Sequence, residues 1–452
     1  MGFACSTVRA APDVAAPAST SDDGAAGIQE ITVTSRRIEL IGTASTASEG
    51  VIPDQEIQLS PAYRPGQLLE TVPGLIVTLH SGEGKANQYL LRGYNLDHGT
   101  DLATSVDEMP VNQPTHAHGQ GYTDLNFMIP ELANGITYTK GPYYANIGDF
   151  GAVGSVHVGY RDTIEDEVSA TVGTLDFQRF FTAGSTAVAD GNLLAAVEFQ
   201  HYDGPFINPD DARRENFVLR YSHGGDQQGY SATLMYYHQI WANTTDIPVR
   251  AIAEGLVPDR FGTLDPTDGG HSQRASLSLD YRATVGDGQF KANGFFEYSQ
   301  LHIYNDFTHY LINPIQGDQE DQFENRRVTG GSASYSQPLP LGSIPNEISA
   351  GLITRYDLLG VGRAPSVDQV DQPIEDGPVT FSNNDEVYLF AGGAAHQFAL
   401  ETGGPGGGRT RGTASRPDLH RRGVQLVAAI RNHHRSRCWT GLRRPSQPPL
   451  RI

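Results

Sequence analysis

Cysteine is nearly absent from this chain of 452 residues, because only Cys5 and Cys438 occur and they lie near opposite ends. That spacing excludes a disulfide framework, a thioredoxin-type redox site and a thiolate zinc site. HExxH, GxSxG, P-loop and dinucleotide fingerprints are also missing from the sequence, so no enzyme motif is present. We therefore predict a non-enzymatic protein that requires no cofactor.

Long apolar runs and positive charge are scarce as well. No stretch approaches the ~18 consecutive apolar residues of a membrane-spanning helix. The formal net charge is −20 and the pI is about 5.1, which argues against a nucleic-acid partner. Hydrophobic residues make up 38% of the chain. These values leave a soluble protein or a membrane β-barrel, whose alternating strands average out in mean hydropathy.

The two ends differ in composition from the middle. We interpret residues 1–27 as a signal-peptide remnant with a disordered linker; the alternative is a disordered tail alone. Residues 402–452 carry +10, from eleven Arg and one Asp, whereas residues 1–401 carry −30. This aberrant basic tail is either an arm for anionic surfaces or the product of a shifted reading frame, which we favour. In both cases we predict no fold for it.

The middle of the chain divides into two modules. Residues 50–165 contain short apolar runs broken by Gly and Pro, with a helix expected at 64–71. Residues 166–401 contain longer segments with a period of two, clearest at 275–281 and 348–357. Short turns there alternate with long polar loops, as in outer-membrane barrels; a soluble β-sandwich is the alternative. We predict an α+β domain followed by antiparallel transmembrane β-barrel strands.

Three motifs in the first module resemble a known family. They are PGQLLETVPGLIV (65–77), YLLRGYNLDHGTDLATSVDEMPVNQP (89–114) and IPELANGITYTKGPYYANIGDFGAVGSVHV (129–158). In this order they resemble the plug domain of TonB-dependent outer-membrane receptors. The resemblance implies a plug inside a barrel of about 22 strands, in the cell outer membrane of a Gram-negative bacterium. It also implies active uptake of a scarce nutrient.

A segment before the plug resembles the energy-coupling TonB box of these receptors. It is IQEITVTSR (28–36), and its β-prone centre is Glu30, Ile31, Thr32, Val33 and Thr34. Such a segment must be extended so that a periplasmic partner can add it as a β-strand. The implied partner is TonB of the TonB–ExbB–ExbD complex. The alternative is that residues 28–34 are an ordinary edge strand.

Several residues of the plug motifs have structural roles in this interpretation. Arg92 could reach a carboxylate across the plug–barrel contact, although a structural salt bridge is its simpler role. The glycines mark tight turns or close backbone approaches. The full set is Pro73, Gly74, Arg92, Gly93, Gly141, Gly151 and Gly154.

A histidine-rich loop at 114–121 is the most informative local feature for a ligand. His116 and His118 lie two residues apart, so an extended backbone would put them on one side. Neutral imidazole binds zinc, copper, iron or nickel. Polar packing and metal-free substrate contact are the alternatives to a transition-metal or metal-chelate contact. The candidate ligand residues are Asp97, His98, His116, His118, His302 and His309.

The function that follows is uptake of a ferric siderophore, another metal chelate or a metal ion. The partners are that small ligand, TonB and outer-membrane lipid. Residues 166–401 supply only part of a barrel with about 22 strands, so we predict that the chain alone is an incomplete, non-functional transporter. The alternative is a soluble or secreted β-rich ligand-binding protein of the carbohydrate-binding or adhesin type.

Overall fold

The computed structural model describes residues 43–60, 62–79, 82–242, 246–339, 347–372, 382–393 and 425–430. The predicted signal remnant and TonB box lie outside the described residues. So does most of the predicted basic tail, of which only residues 425–430 are described.

The N-terminal domain, residues 43–160, is a mixed domain with two small sheets. Its α1 helix is Asp54–Leu59, and its 3₁₀ segments are Pro65–Thr71, Pro130–Leu132 and Ala145–Ile147. Its strands are β1 (Thr43–Thr46), β2 (Glu49–Pro53), β3 (Leu75–Thr78), β4 (Gln88–Leu91), β5 (Tyr94–Asn95), β6 (Leu102–Val106), β7 (Met109–Pro110), β8 (Ala133–Thr139) and β9 (Gly154–Tyr160). One sheet has the order β1-β2-β8-β9-β6-β7, and the other has the order β3-β4-β5.

The helix expected at 64–71 is a 3₁₀ segment, Pro65–Thr71. The backbone N–H of Arg64 donates to Gln67 Oε1 at 3.2 Å, which caps the start. Pro73 and Gly74 follow within three residues, so the segment has no room for the longer hydrogen-bonded ladder of an α-helix. Its apolar residues still reach the core, because Leu68 and Leu69 are fully buried.

From Glu167 onward the chain forms one antiparallel sheet of long strands. They are β10 (Glu167–Val172), β11 (Gln178–Val188), β12 (Gly191–Tyr202), β13 (Ala212–Gly224), β14 (Gly229–Ala242), β15 (Gly269–Val285), β16 (Gly288–Asp306), β17 (Gln319–Pro338), β18 (Glu347–Val367), β19 (Val370–Asp371), β20 (Ser382–Gly393) and β21 (Gln425–Ile430). Consecutive strands pair, except that the short β19 folds back on β18 and β20 also pairs with β18. Within the described residues the sheet is open, since β10 and β21 each pair on one side only.

From β10 to β18 the strands lengthen steadily. β12 has 12 residues, β14 has 14, β16 has 19 and β18 has 21. The last strand, β21, falls inside the tail for which we predicted no fold. Its sequence is QLVAAI, and it pairs antiparallel with β20.

The alternation predicted at 275–281 separates the two faces of the sheet. Leu277, Leu279 and Tyr281 are 39–50% exposed on the outer face. Ser276 and Ser278, between them, are buried at 2% and 4% on the inner face. The sheet is therefore apolar outside and polar inside, which is the reverse of a soluble sandwich.

The two ends of the sheet carry different connections. Residues 189–190, 225–228 and 286–287 are tight turns at one end. Residues 203–211, 243–268 and 307–318 connect strands at the other, which we call the long-loop end; helix α2 (Val249–Ala253) lies in the second of these loops. None of the helices in the described residues is long and apolar enough to cross a membrane.

The N-terminal domain packs against the polar inner face of this sheet. Arg220 of β13 donates to Asp107 at 2.6 Å, and Ser278 of β15 donates to the same carboxylate at 3.0 Å. Arg179 of β11 binds Glu131 through two hydrogen bonds of 2.7 and 2.8 Å. Because these contacts fix the orientation of the domain against the sheet, they also determine which of its loops lie near the long-loop end.

Candidate functional site

The histidine loop is a closed turn held at its base. The N–H of Gln113 donates to the carbonyl of Tyr122 at 3.0 Å, and the N–H of Gly121 donates to the carbonyl of Gln113 at 2.9 Å. Beneath it, the buried amide of Asn112 donates to the carbonyls of Gly99, Leu102 and Gly121. Asn112 thus ties the loop to the turn that carries His98. Sequence reasoning missed Asn112, whose only signal is an amide residue at a strand end.

His98 lies in the turn after β5 and is 3% exposed. Its Nδ1 lies 2.9 Å from the carbonyl oxygen of Ala86 and 3.2 Å from that of Asn87. Carbonyl oxygens only accept, so His98 Nδ1 is the donor. The ring is thereby held against the start of β4.

His118 meets His98 across the two loops. The Nε2 atoms of the two rings are 3.1 Å apart, and the ring centroids are 4.7 Å apart. His118 Nδ1 lies 2.7 Å from Oε1 of Gln322 on β17. The structure therefore brings together two predicted site residues that are 20 positions apart, and it supports them with a wall residue more than 200 positions away.

His116 has a different environment from His118. Its ring stacks on Tyr122 at 3.9 Å, with 6° between the planes. Its Nδ1 accepts the N–H of His118 at 3.1 Å, and its Nε2 is 3.7 Å from a carboxylate oxygen of Glu324. Both rings contact Tyr122 and face β17, but they have different polar partners there.

Burial keeps both loop histidines neutral. It lowers the pKa of His116 well below its ordinary value, and the nearby Arg326 lowers it further. Burial also lowers the pKa of His118 to about 2, assisted by Lys85 and His98. Neutral imidazoles are hydrogen-bond partners or metal ligands rather than cations.

Three inward residues of β17 follow the histidine loop along the wall. Gln322 contacts His118, and Glu324 lies beside His116. Arg326, fully buried, donates to the carbonyl of Thr115 and binds Asp357 on β18. The loop therefore lies on the wall residue by residue, with its order antiparallel to β17.

A second loop of the N-terminal domain, residues 82–87, docks on the connections at the long-loop end. The N–H of Glu83 donates to Asp210 at 3.2 Å, and Lys85 Nζ donates to Asn305 at 3.3 Å. Gly84 lies against the ring of Trp241, so close that a Cβ there would lie 2.0 Å from the ring. We call residues 82–87 the docking loop.

A small polar cavity of about 40 Å³ lies between the histidine loop and the wall. Its lining includes Gln113, His116, Asp124, Glu297 and Glu324. Burial raises the pKa of Asp124 to about 6. A cavity of this size holds one or a few waters and is too small for an organic chelate.

The two later histidines are not part of this arrangement. His302 stacks on His271 and bonds Asp321 at 2.8 Å. Its strand neighbours Leu301 and Ile303 pack in a cluster with residues of the N-terminal domain, so His302 points to the outer face. His309 shapes its own loop, where its N–H donates to Asp306 at 2.7 Å.

Asp97, the remaining ligand candidate, is next to the histidine pair. Its Oδ1 is 3.8 Å from His98 Nε2, and its side chain is about half exposed.

Sequence reasoning missed another group, His201 with Asp176 and Asp203, whose ligand atoms lie within 4.8 Å of one another. These residues come from a turn and a strand end, which no local spacing reveals.

The structural motif residues occupy turns of the N-terminal domain. Gly74 and Gly93 have φ of +84° and +83°, and Gly141 has +126°. Arg92 donates to Ser48 Oγ at 3.2 Å and to the carbonyl of Lys140 at 3.5 Å. Among the described residues these hydrogen bonds stay within the domain, and the contact with a barrel carboxylate, the alternative to a structural role, is not seen. The left-handed turn at Arg92 directs the side chain to the β1–β2 hairpin instead.

The remaining motif residues also pack within the domain. The carbonyl of Pro73 accepts a hydrogen bond from Lys140 Nζ at 3.1 Å. A Cβ on Gly154 would lie 2.6 Å from the carbonyl oxygen of Thr139, and one on Gly151 would lie 2.8 Å from Ile147. Both positions therefore require a residue without a side chain.

Comparison with known proteins gives one family match. Residues 43–155 match the family described as TonB-dependent Receptor Plug Domain. The vitamin B12 transporter BtuB of Vibrio cholerae serotype O1 is 24% identical over 212 residues, which are 44% of this chain and 34% of that protein. The chain thus spans about a third of the length of the curated relatives it matches.

Solved structures share the fold at low identity. The ferric citrate transporter FecA in its unliganded form has a TM-score of 0.60 at 17% identity, covering 79% of this chain and 54% of that one. The copper transporter OprC has a TM-score of 0.55 at 14% identity, covering 78% and 51%. The fold expected from the sequence, a plug domain followed by part of an antiparallel barrel, is therefore confirmed.

Proposed function

We propose that this chain, with its plug domain and partial barrel-type sheet, is a TonB-dependent receptor and that it takes up a metal-containing nutrient. The relatives are receptors of the Gram-negative outer membrane and transporters rather than enzymes, which agrees with the predicted location and with the expectation of no catalysis. A ferric siderophore, another chelate or a metal ion is the proposed cargo.

The observation that carries this proposal is the position of the plug histidines. His98 and His118 lie at the end of the plug that faces the long loops, and Gln322 of the wall contacts His118. A ligand arriving from outside meets the long loops and this end of the plug first. Imidazole favours zinc, copper, iron or nickel over the hard cations, which supports a metal-containing cargo.

Uptake also requires a signal from the ligand end of the plug to the periplasmic end. The hairpin of β4 and β5 has His98 bonded at its start, through Ala86 and Asn87. Its other end is the turn at Arg92, which bonds Ser48 in the β1–β2 turn. We propose that a shift at His98 is transmitted along this hairpin toward the N-terminal segment.

Coupling would then use the predicted TonB box, Glu30 to Thr34, as the strand that pairs with TonB. Ligand binding must change the exposure of this segment, which is a coupling free energy between two sites. TonB, working with ExbB and ExbD, is the proposed partner that applies force to the plug.

Uptake by cells that carry the gene tests this proposal. Cells would be given, in turn, labelled zinc, nickel, copper, ferric siderophores and cobalamin, with and without a deletion of residues 30–34. We expect accumulation of one metal-containing substrate, and we expect the deletion to abolish it. Accumulation that survives the deletion, or growth stimulation by a metal-free oligosaccharide alone, would contradict the proposal. The second result would favour a carbohydrate-binding role.

A further inference from the structure

A polar group lies on the outer face of the sheet, at the long-loop end of its first strands. His201, near the end of β12, is paired across strands with Gln178 of β11 and Arg213 of β13. Two residues earlier on β12, Phe199 is 49% exposed on the same face. The ring of His201 therefore lies just beyond the apolar part of the outer face, on the side of the wall opposite the plug.

Two carboxylates converge on one ring nitrogen of His201. Its Nε2 is 3.2 Å from Oδ2 of Asp176, in the turn between β10 and β11, and 3.3 Å from Oδ1 of Asp203, which follows β12. The three side chains bring one possible ligand atom each to within 4.8 Å of the other two. No other such group of three His, Cys, Asp or Glu occurs in the part of the chain that the structure describes.

These separations suit the ligands of one metal ion. Imidazole nitrogen and carboxylate oxygen lie about 2.0–2.2 Å from zinc, so two such atoms are about 2.9 Å apart at a right angle and about 3.4 Å apart in a tetrahedron. Both distances from His201 Nε2 fall between these values. A cation among the three atoms would take the place of the ion pairs that they form with one another.

The other ring nitrogen of His201 also has the environment of a metal-binding histidine. Its Nδ1 is 3.5 Å from Oδ1 of Asp211, and Arg213 holds that carboxylate through hydrogen bonds of 3.1 and 2.9 Å. Histidine ligands of metals generally have a carboxylate or carbonyl at their second nitrogen, which orients the ring. Asp211 occupies this position and is not itself a member of the group of three.

The group carries more negative charge than its own cations balance. Three carboxylates surround one imidazole, and among the ion pairs of the described residues Arg213 is the one other cation, bound to Asp211 alone. Even a protonated His201 would leave one negative charge in excess. Exposed ion pairs contribute at most about 1 kcal/mol, so they offset little of this repulsion. A divalent cation would remove it.

We propose that Asp176, His201 and Asp203 bind a divalent transition-metal ion, of which zinc is the example used below. An imidazole with two carboxylates favours such an ion over calcium and magnesium, which take oxygen ligands. Three protein ligands leave a further coordination position for water. The bound ion would join the turn at 173–177 to the loop at 203–211. This site lies outside the plug and does not depend on which nutrient is taken up.

Hydrogen–deuterium exchange of the purified full chain in detergent, with and without zinc, tests this site locally. We expect zinc to slow exchange in peptides that cover residues 173–177 and 203–211 of the wild type. His201→Asn and Asp176→Asn each remove a ligand and should abolish this effect. Their affinity for zinc in isothermal titration should fall by more than the roughly tenfold that loss of an outer-shell partner costs.

His223→Asn is the matched control. His223 is a partly exposed histidine at the opposite, tight-turn end of the sheet, where its Nδ1 is 3.6 Å from a single carboxylate, that of Asp190. This variant should keep the effect of zinc on residues 173–177 and 203–211. No effect of zinc there in the wild type, or an effect that persists in His201→Asn, would overturn the assignment. Equal slowing by calcium at the same concentration would overturn the choice of a transition metal.

Discussion

At the scale of single residues, a substitution at Gly84 tests whether the docking loop needs its close contact with Trp241. Its φ is +93°, and a Cβ would lie 2.0 Å from the Trp241 ring. Gly84→Ala should therefore cost about 1–2 kcal/mol from the backbone and about 1–3 kcal/mol from the clash. Thermal unfolding in detergent measures the loss of stability, and the fluorescence of Trp241 reports the clash with its ring.

Gly74→Ala is the matched control for this variant. Gly74 has a similar φ of +84°, but a Cβ there meets no atom within 4 Å. Gly74→Ala should lower the free energy of unfolding by the backbone contribution alone, about 1–2 kcal/mol, and should leave the fluorescence of Trp241 unchanged. Equal effects of the two substitutions would mean that the docking loop does not need the close approach to Trp241.

Asp210 makes the docking loop sensitive to pH. Burial, together with the nearby carboxylates of Glu83 and Asp203, raises the pKa of Asp210 to about 7 against the opposing effect of the Glu83 N–H. The folded state thus binds a proton that the unfolded state releases near pH 4, so docking is strongest below that pH and weakens as pH rises to about 7. The ionisable groups nearby include Asp203, Glu83, whose own pKa is raised by burial, and Arg64, which lies 3.9 Å from Glu83.

Trp241 fluorescence, followed from pH 5 to 8, should report this undocking. Asp210→Asn keeps an oxygen to accept the Glu83 N–H and cannot ionise, so its fluorescence should not change over this range. The signal of Trp439 is removed by subtracting a Trp241→Phe variant. A transition that persists unchanged in Asp210→Asn would assign the pH dependence to another group.

At the scale of elements, β17 holds the histidine loop through Arg326. This side chain is fully buried and binds Glu324, Asp357 and the carbonyl of Thr115. Arg326→Met leaves the buried Glu324 carboxylate without its cation, while Asp357 keeps its ion pair with Arg355; the loss should cost about 3–5 kcal/mol. Arg363→Met, which breaks the exposed pair with Glu320, should cost at most about 1 kcal/mol.

Thermal unfolding and proteolysis within residues 113–121 would compare these two variants. If both lost stability equally, β17 would not be the element that holds the loop.

The sequence predicted the elements better than it predicted the site. Alternation such as that of residues 275–281 depends on local chemistry, because each side chain faces either the polar interior or the outer face. The pairing of His98 with His118 depends on Asn112 and on Gln322, which is more than 200 residues away. No local pattern encodes which strand faces a loop, so His302 was grouped with the plug histidines although it points outward.

At the scale of the whole molecule, the outer face of the sheet should contact lipid. Leu279 is 50% exposed at the middle of β15. Leu279→Arg should cost about 2–4 kcal/mol in the membrane and lower the yield in the outer-membrane fraction. Ile315→Arg is the control, since Ile315 is 90% exposed in a long loop and should tolerate a charge. Equal yields for both variants would argue against a lipid-facing surface.

The lengthening of the strands from β10 to β18 has a consequence for the height of the long-loop end. At about 3.4 Å per residue, the 12 residues of β12 span about 40 Å and the 21 of β18 about 70 Å. With strands tilted by about 40°, the first clears the ~30 Å hydrocarbon layer only just, whereas the second rises some 20 Å above it. The described rim therefore slopes, and a diffusing ion meets its low side first. There the loop at 203–211 exposes the carboxylates of Asp203 and Asp211 beside the docking loop, so the fastest encounters of a cation begin at this negatively charged part of the rim.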